Sequence, residues 1–147
     1  MSDIEKSKVT DAEKVKFRIV AEKEASDKTI ALRVKEFEDI KKLKEQLIEN
    51  DLLIAQRSYE IDKANIQAEF DAKKISNVQK ARLEKELEDK LREIKRRGLE
   101  DRLALENQMS GISGKQGNQN QIMNNISDLD TDQKVSDTKQ VGCLLYT

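Results

Sequence analysis

The chain has 147 residues, of which 39% are charged and only 3% are aromatic, and it contains neither proline nor tryptophan. A compact globule would have to bury much of that charge, at a large cost in free energy, around very few large apolar side chains. The formal net charge is −1 and the two signs alternate along the chain, which argues against a nucleic-acid or membrane partner held by bulk charge. This composition favours long helices and coiled coils.

Residues 1–9 are predicted to be an N-terminal cap or a short helix. Ser2 and Thr10 each precede a glutamate by three residues, which is the spacing of a capping box. The main helix is therefore predicted to begin near Thr10. The first residues lack the apolar stretch of a secretory signal, so we expect the protein in the cytoplasm or within a particle assembled there.

Residues 10–109 are predicted to form a helical rod. From Thr10 to Arg97 the chain has no glycine and no proline, the two residues that most disfavour a helix interior. The sequence thus predicts an all-α protein with a long, mostly continuous coiled-coil-type helix. Residues 26–27, 50–51 and 76–77 are candidate turns, because their Ser, Asn and Asp side chains compete for backbone hydrogen bonds. A break at one of them would give the alternative fold, a helical hairpin or a three-helix bundle.

One row of apolar residues recurs at every seventh position in the middle of the rod. A seven-residue repeat is the spacing of a coiled-coil seam. Some positions three residues further on, such as Asn50, Arg57 and Asp71, are polar, so a simple two-stranded zipper would be weak. The predicted oligomer seam consists of Ile40, Leu47, Ile54, Ile61, Ala68 and Ile75.

A second apolar stripe follows helical spacing on another side of the same segment, about 100° away around the helix axis. The second stripe consists of Ile48, Leu52, Ala55, Tyr59, Ile66 and Phe70. A helix with two stripes has two neighbours to satisfy, so we expect three or more packed helices, from copies of this chain or from other proteins. The alternative is that both stripes form one broad surface that faces the core of a bundle.

The character of the chain changes towards its C-terminus. A weak point or kink is predicted at Gly98, and residues 110–118, which carry three glycines, are predicted to be a flexible linker. The whole segment 110–147 is rich in Gly, Asn and Gln and is predicted to be largely irregular, and residues 119–147 form the tail that is predicted to dock partners. The candidate docking residues are Ile122, Met123, Ile126, Leu144, Leu145 and Tyr146.

Little in the chain suits catalysis. It has no histidine, and Cys143 is its single cysteine, which we interpret as a small buried apolar residue. The carboxylates are predicted to lie on solvated helix faces, where nothing would tune their pKa values. We therefore expect no enzyme activity, no catalytic residue, no metal site and no cofactor.

These observations favour a non-enzymatic structural or scaffold protein. In this hypothesis the rod oligomerises through its apolar stripes and docks partner proteins through its tail, as a homo-oligomer or as part of a larger protein assembly such as a virion. The alternative is a monomeric helical binding module that orders along a partner filament or helical bundle. The polar residues three positions after the seam, Asn50, Arg57 and Asp71, favour that alternative, because they weaken self-association.

Overall fold

A computed structural model describes the backbone of residues 3–146 and the surroundings of the side chains of residues 11–139. Within that range the chain forms three α-helices: α1 (Asp3–Asp71), α2 (Asn77–Ser113) and α3 (Gln119–Tyr146). The prediction of an all-α protein is confirmed. Residues 3–9 belong to α1, whereas the capping side chains expected at Ser2 and Thr10 lie outside the described side chains.

The helix predicted over 10–109 is interrupted after Asp71. The Lys73 N–H donates to the carbonyl oxygen of Phe70 (3.0 Å) and the Lys74 N–H to that of Glu69 (2.9 Å), a Schellman arrangement that satisfies the last carbonyls of a helix. Lys73 adopts a left-handed conformation with a φ of 59°, which glycine adopts more readily than any other residue. Because no glycine marks this turn, the sequence pattern continues through it and predicts one rod.

The next helix begins with the capping box that the sequence carries at Ser76. The Ser76 Oγ accepts a hydrogen bond from the Gln79 N–H (3.2 Å), and the Gln79 Oε1 accepts one from the Ser76 N–H (2.9 Å). Each side chain thus satisfies a backbone donor that the helix leaves unpaired. The chain reverses at the third candidate turn, while residues 26–27 and 50–51 remain helical. The result is the three-helix alternative rather than a single rod.

The second helix packs antiparallel along α1, and the two come close at Gly98. A Cβ placed on Gly98 would lie 3.2 Å from Ile48 Cγ2 and 3.7 Å from Leu52 Cδ1, so the absence of a side chain allows the helices to approach. Gly98 is buried inside the uninterrupted α2. The sequence predicts a weak point or kink at Gly98, but the helix continues through it, and Gly98 is a position of close packing between α1 and α2.

The first helix extends well beyond the part that α2 covers. It has 69 residues, against 37 in α2. The side chains of residues 11–33 are consequently all exposed. In proteins most helix stability comes from tertiary packing of an apolar face rather than from helix propensity, and the exposed side chains of residues 11–33 supply little such packing within the described residues.

The third helix occupies residues for which an irregular tail is predicted. α2 ends at Ser113 and is capped by Gly114, whose φ is 70°, and residues 114–118 lead into α3. α3 packs antiparallel on α2, and within the described residues α1 and α3 make no close backbone contact. α2 is therefore the middle helix of the three.

The packing of α3 depends on a single stripe with helical spacing. The buried and half-buried residues of that stripe include Gln119, Ile122, Ile126, Leu129, Gln133 and Ser136. Asn and Gln outnumber the apolar residues at the start of this segment, so composition alone suggests an irregular tail. The spacing of the few apolar residues is the signal for a helix that packs on one side.

The core of this three-helix arrangement is thin. Among the described side chains, only Ile66, Leu105 and Ile122 are both apolar and buried, whereas sixteen large apolar side chains are exposed. Monomeric proteins rarely leave extended apolar surface in contact with water. In the described part of the chain, much more apolar surface is therefore exposed than buried.

Candidate self-association surface

The residues of the predicted seam lie on the outer side of α1. The exposed fractions are 46% for Ile40, 63% for Leu47, 66% for Ile54 and 62% for Ile61. Ala68 is also exposed. From Ile40 to Ala68 the seam is thus a row of aliphatic side chains in contact with solvent over about 42 Å of helix, at roughly 1.5 Å per residue.

One seam residue lies outside α1. Ile75 is half-buried in the turn between α1 and α2. The heptad spacing predicts it as the end of the seam only if the helix continues, and α1 ends four residues earlier, at Asp71.

The second stripe lies on the side of α1 that faces α2. Ile66 is buried, and Ile48, Leu52, Ala55, Tyr59 and Phe70 are half-buried. Ile48 and Leu52 pack at Gly98 of α2. The structure therefore brings the second stripe into the molecule and separates it from the seam.

Three further leucines of α1 are exposed. Leu43, one of the apolar residues three positions after a seam residue, is exposed, as are Leu32 and Leu53. Leu32 and Leu53 stand outside both predicted rows. Leu53 directly precedes Ile54 and therefore lies about 100° from the seam around the helix axis, where it lines the groove beside α3.

A buried polar cluster joins the three helices at one end. Lys41 of α1 forms an ion pair with Glu106 of α2, whose side chain is almost fully buried. The buried Gln119 of α3 donates from Nε2 to the Glu106 carbonyl oxygen (3.3 Å) and accepts from the Gly117 N–H (2.7 Å). Lys41 lies seven residues before Ile48 and therefore on the same side of α1 as the second stripe. A charged residue on that apolar side is the sequence signal for a buried ion-pair partner.

Polar contacts also hold the second half of α3 on α2. Lys85 Nζ lies 2.7 Å from carboxylate oxygens of both Asp89 and Asp137, and the Gln133 amide donates to the same two carboxylates. Hydrogen bonds to Asp137 and Asp89 raise the pKa of Lys85, and those from Lys85 and Gln133 lower the pKa of Asp137. Burial alone would raise the pKa of Asp89, but the hydrogen bonds from Lys85 and Gln133 outweigh it and lower that pKa. The cluster is therefore fully charged at neutral pH.

The candidate docking residues of the tail divide into three groups. Ile122 is buried and Ile126 half-buried, and both lie in α3, which packs on α2. Met123 is exposed. The side chains of Leu144, Leu145 and Tyr146 lie outside the described residues, as does that of Cys143.

A groove of about 590 Å³ opens between α1 and α3 beside α2. Its apolar lining is Leu52, Leu53, Leu99 and Leu129, and polar residues, among them Glu49, Lys95 and Asp128, lie around them. Its size is within the range of sites that accept apolar ligand groups.

Among the described residues, no three metal-ligating side chains come together. No helix in the described part of the chain has the length and apolar character that crossing a membrane requires. Comparison with known proteins finds no match: no protein-family model, no curated protein and no solved structure is similar to this chain.

Proposed function

We propose that this chain is a non-enzymatic structural protein, a helical scaffold that self-associates through the seam on α1. The observation that carries the proposal is that Ile40, Leu47, Ile54 and Ile61 stay exposed although α2 covers the other stripe of the same helix. In this proposal α3 and the C-terminal residues bind further proteins of a larger assembly, such as a virion.

The hydrophobic effect supplies the driving force for this proposal. Transferring one exposed Ile or Leu side chain fully from water into an interface contributes roughly 1.5–3 kcal/mol. Each copy offers several such side chains in one row, which together can offset the loss of translational and rotational freedom on association. The thin core also supports self-association, because a monomer gains little stability from its few buried apolar residues.

The groove between α1 and α3 favours a second candidate function. A helical binding module would receive an amphipathic helix of another protein along Leu53, Leu99 and Leu129. In that case the chain would be a monomer on its own. The mass of the purified chain therefore separates the two candidates.

Light scattering with in-line size-exclusion chromatography tests the scaffold proposal. The full-length chain is expected to elute at a multiple of 16.9 kDa, and Ile54→Asp/Ile61→Asp at a single chain mass. Each substitution places a charge in the seam, and burying an unpaired charge costs several kcal/mol. Circular dichroism should show unchanged helicity, because both positions are exposed in the single chain.

The matched control is Val78→Asp/Val135→Asp. These two apolar residues are also exposed but lie on α2 and α3, so the control adds the same charge outside the seam and should keep the mass of the unmodified chain. A monomeric unmodified chain, or an oligomer that survives both seam substitutions, would contradict the proposal.

A further inference from the structure

We infer that the seam of one copy lies in the groove between α1 and α3 of the next copy, with Arg57 of the first beside Asp128 of the second. Copies of the chain then associate head to tail. The inference rests on the proposed self-association through the seam and adds the surface that the seam contacts.

The groove is a place for a fourth helix. α1 and α3 both pack on α2, but within the described residues they make no close backbone contact with each other. The three helices are therefore not a closed bundle, and an apolar opening of about 590 Å³ remains between the outer two. Helices usually bury an apolar stripe against a further layer of structure, and another helix with an aliphatic row would supply that layer.

Among the described residues, the seam is the exposed row that such a groove can receive. It places an exposed aliphatic side chain at every seventh residue from Ile40 to Ile61. Nearer the N-terminus, Val15, Phe17 and Ile19 are exposed too, but residues two apart point to nearly opposite sides of a helix. The exposed large apolar side chains of α2 and α3 lie twelve or more residues apart within each helix. None of these other sets forms a comparable row.

The length of the groove matches the spacing of the seam. Its α1 side extends from Glu49 to Gln56, which is about 10 Å at 1.5 Å per residue. Consecutive seam residues are also seven positions apart and hence separated by the same distance along the helix. The groove can therefore hold two of them, such as Ile54 and Ile61, between its leucines. Apolar anchors seven residues apart are usual when a helix binds in a groove.

The seam and the groove can be engaged at the same time because they lie on different sides of α1. Leu53 of the groove directly precedes Ile54 of the seam and points about 100° away from it. Each copy can thus place its seam in one neighbour and receive the seam of another, which is a heterologous contact. This contact covers both apolar surfaces of a copy, whereas a seam-to-seam pair leaves the groove open. Burial of the larger apolar area favours the head-to-tail contact.

The groove carries opposite charges on its two sides. On the side of α1 and α2, Lys95 lines the groove, and Arg102 lies 3.5 Å from the carboxylate of Glu49, so two cations accompany one anion. On the α3 side the charged lining residue is Asp128. Within the described residues, neither Lys95 nor Asp128 forms an ion pair.

The two edges of the seam beside Ile54 are charged in a complementary way. Asp51 and Asp62 lie about 60–80° to one side of Ile54 around the helix, and Arg57 lies about 60° to the other side. All three are exposed, and none has an ion pair within the part of the chain that the structure describes. A helix can enter the groove in two opposite directions. The direction that sets Arg57 beside Asp128 also sets the acidic edge on the basic side, and such complementarity selects one orientation.

Two full-length variants, each with one surface disabled, test the contact. The seam variant, Ile54→Asp/Ile61→Asp, keeps the groove, and the groove variant, Leu53→Asp/Asn125→Asp, keeps the seam. All four positions are exposed in the single chain, so circular dichroism should show unchanged helicity. In light scattering each variant alone is expected at a single chain mass. Their equal mixture should contain a complex of twice 16.9 kDa, because one variant supplies the seam and the other the groove.

The outcomes separate this inference from the proposed function. An unmodified chain that is monomeric, or a seam variant that stays oligomeric, overturns both. An oligomeric groove variant overturns the inference alone, because its seam then binds without the groove, and so does a mixture that stays at a single chain mass. The control Val78→Asp/Val135→Asp adds the same charge outside both surfaces and should keep the mass of the unmodified chain.

A charge exchange tests the direction of the helix in the groove. Calorimetric titration of the groove variant with the seam variant gives one dissociation constant, since each offers one surface. Arg57→Glu in the groove variant, or Asp128→Arg in the seam variant, should raise that constant roughly 5- to 10-fold, because an attractive contact becomes repulsive. The two changes together should return it to within about twofold of the starting value. A combination as weak as the single changes would overturn the inference, because Arg57 and Asp128 would then not face each other.

Discussion

At the scale of single residues, Gly98 decides how closely α1 and α2 pack. Sequence reasoning expects a weak point there, because glycine destabilises a helix interior by about 1 kcal/mol relative to alanine. The structure places Gly98 against Ile48 and Leu52, where a side chain would meet α1. The helix propensity of this residue opposes its packing role, and only the position of α1 shows which effect is larger.

Substitutions at Gly98 test this packing role. Gly98→Leu is expected to destabilise the chain by about 1–3 kcal/mol, because extra side-chain atoms in a close contact force the helices apart. Gly98→Ala should change stability by less than about 1 kcal/mol, since the gain in helix propensity offsets a Cβ contact of 3.2 Å with Ile48. Urea unfolding followed by circular dichroism, at one protein concentration, measures both.

The matched control is Gly111→Ala in the same helix. A Cβ at Gly111 would meet nothing within 4 Å, so this substitution should stabilise the chain by up to about 1 kcal/mol. If Gly98→Leu proved as stable as the unmodified chain, close packing at Gly98 would be wrong.

At the scale of elements, α3 is held on α2 by a few apolar residues and by the cluster of Lys85, Asp89, Gln133 and Asp137. The lowered pKa values of Asp89 and Asp137 mean that their contribution to stability is complete above their ordinary value of 3.8 and is lost as the pH falls below it. The raised pKa of Lys85 means that its contribution is complete below 10.5 and is lost as the pH rises past that value. The attachment of α3 should therefore be insensitive to pH between about 5 and 9.

We expect Lys85→Met to reduce the loss of stability on acidification. The midpoint of urea unfolding in the unmodified chain should fall as the pH drops from about 4 towards about 2, as Asp89 and Asp137 take up protons and lose their bonds to Lys85. Without the ammonium group, both carboxylates have pKa values closer to ordinary ones, so the fall should be smaller. Lys90→Met, which removes an exposed lysine of the same helix that has no ion pair among the described residues, should behave as the unmodified chain. Equal falls in all three chains would contradict a stabilising role for the cluster.

At the scale of the whole molecule, stability and self-association are expected to depend on each other. Few apolar residues are buried in the single chain, and the seam on α1 is exposed. A partner that binds only the folded chain stabilises it by mass action. The folded state should therefore gain stability as the protein concentration rises.

The melting temperature of the unmodified chain is expected to rise by roughly 2–4 °C per tenfold increase in concentration. The same temperature for Ile54→Asp/Ile61→Asp should not depend on concentration, because that variant is expected to be a monomer. Differential scanning calorimetry over two decades of concentration measures both. A melting temperature of the unmodified chain that stays constant would show that folding is complete without a second copy.

The sequence alone determined that the chain is helical and that the segment from 40 to 75 carries two apolar rows, because helix propensity and the spacing of side chains along a helix are local properties. It also marked the start of α2, since the capping box at Ser76 is built from neighbours in the chain. Tertiary structure decided which row is covered. Gly98 leaves room for Ile48 and Leu52 to pack against α2, so the second stripe faces the interior and the seam faces solvent. It also made residues 119–139 part of a helix, because the burial of Ile122 requires α2 beside it. Contacts between distant segments depend on the shapes that meet there, and no local pattern contains that information.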